Sequence, residues 1–187
     1  MNDFQIRKAI KEQELINHLG DPDTKIIDEM GLNLGSSIID IAVVNGNMLG
    51  YEIKSDRDTL NRLNSQIEQY NKVFDYLNIV TSKKYAPIIS DYVPEWWGII
   101  EVEEAKNQVV IHQHRLSKIN NDVNPYSLLQ LLWKDELIEI IEKFAPSKSI
   151  KNKPKKIIWT YISENLDKII IKDLVRFYLK KRINWKD

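Results

Sequence analysis

The chain has no cysteine. That excludes disulfides and thiolate metal centres, and it suits a reducing compartment. Glycine and proline are scarce, six of each in 187 residues, which excludes collagen-like and low-complexity classes. No apolar run approaches the roughly 20 residues needed to cross a bilayer. The N-terminus, MNDFQIRKAI, is polar where a signal peptide would be apolar. The expectation is a soluble, cytoplasmic globular protein with no membrane partner. An excess of either charge is also missing: 27 basic and 27 acidic residues give a formal net charge of zero.

The charge is nevertheless unevenly placed. Met1 to Ala145 holds 15 Lys and Arg against 23 Asp and Glu, and Pro146 to Asp187 holds 12 against 4, so the two parts carry −8 and +8. A basic appendage of this kind meets an anionic partner, or docks on the acidic part of its own chain. Both readings satisfy the same electrostatics.

The informative stretch is IIDIAVVNGNMLGYEIKSDRDTLNRLNSQIEQY, Ile38 to Tyr70. Asn45-Gly46-Asn47 between two apolar runs is a strong hairpin signal. Side chains alternate along a strand, so Glu52 and Lys54 share one face. Ile39, Ile41 and Val43 form an apolar face that leaves Asp40 on the other side. A three-residue turn pairs Val44 with Met48 and brings Asp40 opposite Glu52; a two-residue turn would split the carboxylates between faces. Two neighbouring carboxylates repel unless a cation sits between them. A hard divalent ion such as Mg²⁺ suits one or two carboxylates plus a phosphate, and it activates water. Lys54 brings positive charge to the same place. On its own, a D…E-x-K pattern also fits an ordinary solvated hairpin with a surface salt bridge. Leu49, Tyr51 and Ile53 argue for a buried strand, whose charges then need a reason. Gln66 and Tyr70, at i and i+4, share one face of a helix that should begin near Asp58.

Asp40, Glu52-Ile53-Lys54 and Gln66-x-x-x-Tyr70 together resemble the PD-(D/E)XK nuclease superfamily. The Gln-Tyr pair is similar to that of its exonuclease-like branch. The phrases Gly50 to Asp56, Asp58-Thr59-Leu60, Arg62-Leu63, Pro94 to Gly98 and Leu132 to Glu136 resemble a family of small bacterial proteins within it. The resemblance implies a metal held by Asp40, Glu52 and the backbone carbonyl of Ile53, with Lys54 catalytic and Gln66 and Tyr70 supporting. It also implies a third acid, Glu29 by its place in Ile26-Ile27-Asp28-Glu29, with Glu14 on the first helix as runner-up. One departure is Ile38, where relatives carry a basic residue.

In chain order, a helix is expected over Asp3 to His18, capped by Asp3, with an apolar stripe of Phe4, Ile6, Ile10, Leu15 and Leu19. A strand follows over Thr24 to Met30, then a loop over Gly31 to Ser36. Tyr76 to Thr81 reads as a buried parallel strand, Ser82 to Tyr92 as a short helix, and Trp96 to Val102 and Gln108 to His114 as two more strands. Trp96 and Trp97 read as core, although bases stack on such rings. His112 and His114 read as a polar strand face. Leu116 to Tyr126 lacks periodicity and marks a boundary. Beyond it, helices are expected near Tyr126 to Phe144, Lys155 to Leu166 and Ile171 to Arg182.

The expected fold is therefore α/β: a restriction-endonuclease-like core, a mixed sheet flanked by helices, over residues 1–119, and a small all-α basic subdomain over residues 126–187. The expected function is Mg²⁺-dependent phosphodiester hydrolysis in DNA, Mn²⁺ substituting, with no small-molecule cofactor. Lys151, Lys153, Lys155, Lys156, Lys180, Lys181 and Arg182 are the expected phosphate contacts. The alternatives are a catalytically inactive nucleic-acid-binding module on the same fold, and an interaction domain whose acidic and basic parts pair across a homodimer.

Overall fold

Strand alternation and helix periodicity assemble into six strands and six helices in the computed structural model, which describes residues 2–105 and 108–183. The elements run α1 (Asp3–Ala9), β1 (Lys25–Leu32), β2 (Ser37–Val44), β3 (Met48–Lys54), α2 (Leu63–Tyr70), β4 (Tyr76–Ser82), β5 (Gly98–Ala105), β6 (Gln108–Arg115), α3 (Pro125–Leu129), α4 (Lys134–Phe144), α5 (Lys155–Asn165) and α6 (Lys168–Lys181). They form an α/β protein with one six-stranded mixed sheet flanked by helices, its strands lying in sequence order. The pairs β1–β2, β2–β3 and β5–β6 are antiparallel, while β3–β4 and β4–β5 are parallel and have the long connections that parallel neighbours require.

The turn between β2 and β3 has the three-residue form. Val44 pairs with Met48, the Asn45 N–H reaches the Asn47 carbonyl at 3.0 Å, and the Asn47 N–H reaches Asn45 Oδ1 at 2.9 Å. Gly50 follows because a Cβ there would come within 2.5 Å of Ile39 and 2.6 Å of Leu77. The ladder stops at Ile41 with Tyr51, and the two-residue alternation slips next to it. Ile39 packs with Ala42 and Val44 in one core layer while Ile41 and Val43 pack in the other, so the expected single apolar face of Ile39, Ile41 and Val43 is not formed. Across from the slip, Glu29 has φ +53°, a left-handed conformation that non-glycine residues adopt at a cost.

The first helix differs from its expectation. Asn2, rather than Asp3, is the cap: its side chain accepts the Gln5 N–H and Gln5 answers to the Asn2 N–H, a capping box. After Ala9 the helix widens into a π turn over Ile10–Glu14 and ends in a 3-10 turn at Ile16–His18. Ile6, Ile10 and Leu15 are buried, but Phe4 and Leu19 face outward. Similarly, α2 begins at Leu63 because Asp58 closes a turn, accepting the Ser55 N–H at 2.8 Å and its hydroxyl at 2.6 Å. The segment from Lys83 to Tyr92 is turns with one 3-10 turn at Ile89–Asp91, not an α-helix. The helix expected over 126–144 is two, α3 and α4, since the Glu136 side chain accepts the Trp133 N–H at 2.7 Å and starts a new helix there.

α1 covers one face of the sheet, where Ile6 and Ile10 meet Ile41, Tyr51 and Val80. α2 and the four C-terminal helices cover the other. There, one continuous core joins Met30, Leu77 and Trp97 to Leu137, Ile158 and Leu179. Among the described residues, the helices after Pro125 thus share one core with the sheet. Buried Asp75, immediately before β4, ties them down: Lys172 Nζ lies 2.5 Å from its Oδ1 and Arg176 Nη1 3.7 Å from its Oδ2. Lys180 also lies 4.0 Å from Asp23, so part of the basic charge is spent within the chain.

Candidate active site

The end of β3, the neighbouring part of β2 and the first turns of α2 frame an open cleft that holds Asp40, Glu52, Ile53, Lys54 and Gln66. Glu52 and Lys54 project from one face of β3, and both are almost fully buried. Lys54 Nζ donates to Glu52 Oε1 at 2.6 Å and to Gln66 Oε1 at 2.9 Å. Gln66 Nε2 donates to the same Glu52 oxygen at 2.7 Å and to the Tyr70 hydroxyl at 3.1 Å. The Tyr70 hydroxyl lies 2.8 Å from Glu52 Oε2 and 2.6 Å from the Ile38 carbonyl, and its one proton serves one of them at a time. Burial, and then the charge of Glu52, hold this phenol far above its ordinary value, so it acts as a fixed neutral donor. The i, i+4 spacing of Gln66 and Tyr70 places both on the face of α2 that overlooks Glu52.

Asp40 sits where β2 and β3 part. Its Oδ2 accepts the Ile53 N–H at 2.7 Å, replacing the strand partner lost at that point. Burial, followed by the negative charge of Glu52, pushes its carboxyl up to about 7. Two neighbouring acids disfavour each other's charged form, and a cation between them would relieve that repulsion. The donors fit a hard ion that keeps several waters. They do not fit a closed protein cage, because no three His, Cys, Asp or Glu side chains gather to hold a metal among the described residues.

Glu29 lines the same cleft but is exposed and does not form such a group with Asp40 and Glu52. Glu14 lies elsewhere, beside Tyr51, where burial and then its charge push that phenol up to about 12. Trp97 is fully buried: it stacks on Tyr70 at 6.3 Å and donates to Asn71 at 2.9 Å. It is a core residue supporting the site from behind. His112 and His114 pair with Glu103 and Glu101 on an exposed strand face, as expected.

Arg7 was not legible as a site residue. From α1 it donates through Nη1 to the Asp40 carbonyl at 2.8 Å and through Nη2 to Asp40 Oδ1 at 3.1 Å. Its Nε and Nη2 hold Asp3 Oδ2 at 3.2 and 2.9 Å. The signal in the sequence was the Asp3–Arg7 i, i+4 pair on a capped helix. Arg57 and Arg62, exposed at the cleft rim, were also missed.

None of the seven C-terminal basic residues lines this cleft. Lys151 pairs with Glu142 at 2.6 Å, Lys155 faces the Leu132 carbonyl at 3.5 Å, and Lys181 lies 5.9 Å over the Phe177 ring. Lys153 and Lys156 are exposed. Arg182 corrects its expected role as a phosphate contact. It is buried, grips Glu136 at 2.9 and 2.5 Å and the Leu131 carbonyl at 2.8 Å, and stacks 4.2 Å over Trp133. Arg182→Ala should cost about 3 kcal/mol of stability by stranding Glu136 and leave the salt dependence of any DNA binding unchanged. Urea unfolding beside a salt titration checks both.

The class these features define is an α/β protein whose mixed sheet carries a buried Glu–Lys pair with a half-buried aspartate beside it, at the mouth of a cleft. The family model described as bacteriophage P4 protein cII matches residues 2–186, and the chain belongs to that family. Protein cII of Enterobacteria phage P4 is 29% identical over 123 residues, covering 66% of this chain and 47% of that protein, so the match spans about half the relative's length. Among solved structures, Pyrococcus furiosus SfsA in complex with Ca²⁺ aligns with a TM-score of 0.35 and 16% identity, over 62% of this chain and 64% of that one. At that score the likeness fixes neither fold family nor activity.

Proposed function

We propose that the chain is a Mg²⁺-dependent nuclease of the PD-(D/E)XK type that hydrolyses phosphodiester bonds in DNA, with Mn²⁺ able to substitute. The observation that carries this reading is the placement of Asp40, Glu52 and Lys54 together, with Asp40 raised to about 7 by burial and Glu52 at the mouth of an open cleft. The balance of charge supports it. Asp3, Glu29, Asp40, Glu52 and Asp58 line the cleft against Arg7, Lys54, Arg57 and Arg62, so a polyanion gains no net attraction until a divalent cation changes the local charge from −1 to +1.

Asp40 and Glu52 would hold the metal, with the Ile53 backbone beside them. When bound, the ion supplies Lewis acidity and a water of lowered pKa. Lys54, held by Glu52 and Gln66, orients or polarises the attacking water. Gln66 and Tyr70 fix Glu52, and Arg57 and Arg62 meet the phosphates that flank the scissile bond.

The test is cleavage of linear, circular and single-stranded DNA by the wild-type chain in Mg²⁺, Mn²⁺ and EDTA, with Glu52→Gln purified in parallel. Cleavage in both metals, none in EDTA and none by the variant is the expected outcome. Equal cleavage by both proteins would place the activity elsewhere. DNA bound in EDTA but never cut would point to the inactive binding module, and salt-dependent self-association without DNA affinity to the interaction domain.

A further inference from the structure

We propose that Arg7 is a two-position phosphate ligand: one guanidinium N–H donates to Asp40 Oδ1 when the site lacks a metal, and the same N–H is presented to a substrate phosphate once a metal takes that oxygen. The inference rests on the nuclease reading and adds a residue to it, from an element that carries none of its motifs.

Four hydrogen bonds hold Arg7, and only one of them goes to the Asp40 carboxylate. Nη1 is tied to the Asp40 main-chain oxygen, and Nε and Nη2 to Asp3. The bond from Nη2 to Oδ1, at 3.1 Å, is long for a charge-assisted contact, while the other Asp40 oxygen is taken by the Ile53 N–H at 2.7 Å. Oδ1 is therefore the oxygen a hard cation can claim, and claiming it leaves Arg7 anchored by three bonds. A divalent ion and a guanidinium on one oxygen repel, so the contact must loosen when the metal enters. Arg7 lines the cleft together with Arg57 and Arg62. An N–H released from Asp40 then lies at the cleft wall, where it would be available to a substrate phosphate. In addition, position 38, two residues before Asp40, is isoleucine, so β2 brings no cation of its own to this place.

This arrangement predicts opposite signs for two affinities. Arg7→Gln should bind Mn²⁺ alone roughly tenfold more tightly, as a competitor for Oδ1 is removed, and should bind a short duplex oligonucleotide in Ca²⁺ roughly tenfold more weakly. Asp3→Asn frees Arg7 to lean on Asp40, so it should weaken Mn²⁺ binding, the reverse of the first variant. Asp40→Asn sets the baseline and should abolish Mn²⁺ binding. The measurements are isothermal titration for the metal and fluorescence anisotropy for the DNA, with circular dichroism confirming that each variant is folded. If both affinities fall together in Arg7→Gln, or Mn²⁺ affinity does not change, Arg7 is only a brace for Asp40 and the inference fails while the nuclease reading stands. Undiminished Mn²⁺ binding by Asp40→Asn would instead remove the metal site itself.

Discussion

Lys54→Ala should lose all measurable cleavage, a drop on the order of 10³ or more if Lys54 acts on the reacting water and its phosphate, and should also lose about 3 kcal/mol of stability. Both effects have one cause. The ammonium and the Glu52 carboxylate are 2.6 Å apart with side chains 6% and 3% exposed, and removing one partner of such a pair leaves the other charged and buried. Gln66 and Tyr70 soften the loss, since each still directs a donor at Glu52. The two effects separate by adding metal. A divalent cation replaces the lost positive charge beside Glu52, so Mg²⁺ should stabilise Lys54→Ala more than it stabilises wild type, without restoring cleavage. Urea unfolding with and without Mg²⁺ reads the first, and a DNA digest of the folded variant reads the second. A variant that is folded, responds to Mg²⁺ and still cleaves at the wild-type rate would end the assignment of Lys54.

How much of this site was legible followed from how local each signal was. The turn Asn45-Gly46-Asn47 sets the pairing of Val44 with Met48 within a few residues, and that register runs as far as Ile41 with Tyr51; the directly opposed Asp40 and Glu52 that it would give one step further are not a ladder pair, because the strands part there. The helical spacing of Gln66 and Tyr70 is equally local, so their convergence on Glu52 could be read from the sequence. Arg7 could not, because it reaches Asp40 across 33 positions, and nothing in Asn2 to Ala9 says which strand the helix will cross. The slip at Asp40 was hidden for a related reason: it lies across from a left-handed residue at Glu29 in β1, an irregularity with no glycine to announce it. The break before Trp133, set by the Glu136 side chain, and the late start of α2, after the turn that Asp58 closes on Ser55, were misplaced because no glycine or proline marks either one. The C-terminal helices were found by periodicity. Their partner surface on the sheet was not, since periodicity says that a face is apolar and leaves open what covers it. Arg182 illustrates the limit, a lysine-rich segment having lent its character to a residue that is a buried brace.

Asp40→Asn should show the opposite pattern to Lys54: a more stable protein that does nothing. The carboxyl is pushed to about 7 in the folded chain, by burial first and by Glu52 second, against about 4 when unfolded. A folded-state value above the unfolded one means that stability is fully present below about pH 4 and is lost as pH rises to about 7. The loss is on the order of 4 kcal/mol at most, and less where the exposed fifth of the side chain is screened. Asparagine keeps an oxygen for the Ile53 N–H and never ionises. At pH 8 without metal, Asp40→Asn should therefore exceed wild type by roughly 2 kcal/mol, and at pH 5 the difference should shrink or reverse as the interaction with Arg7 is lost. Thermal unfolding across pH 5 to 8 gives this slope, and added Mg²⁺ should lift only the wild type, most strongly at pH 8, where the ion meets a carboxylate already ionised. A flat pH profile for the wild-type chain would mean that Asp40 is ionised throughout and that Arg7 alone suffices to balance it. A sloped profile that metal flattens would mean that the fold tolerates a destabilising charge at this position, which a chain with no use for a cation there has no physical reason to retain.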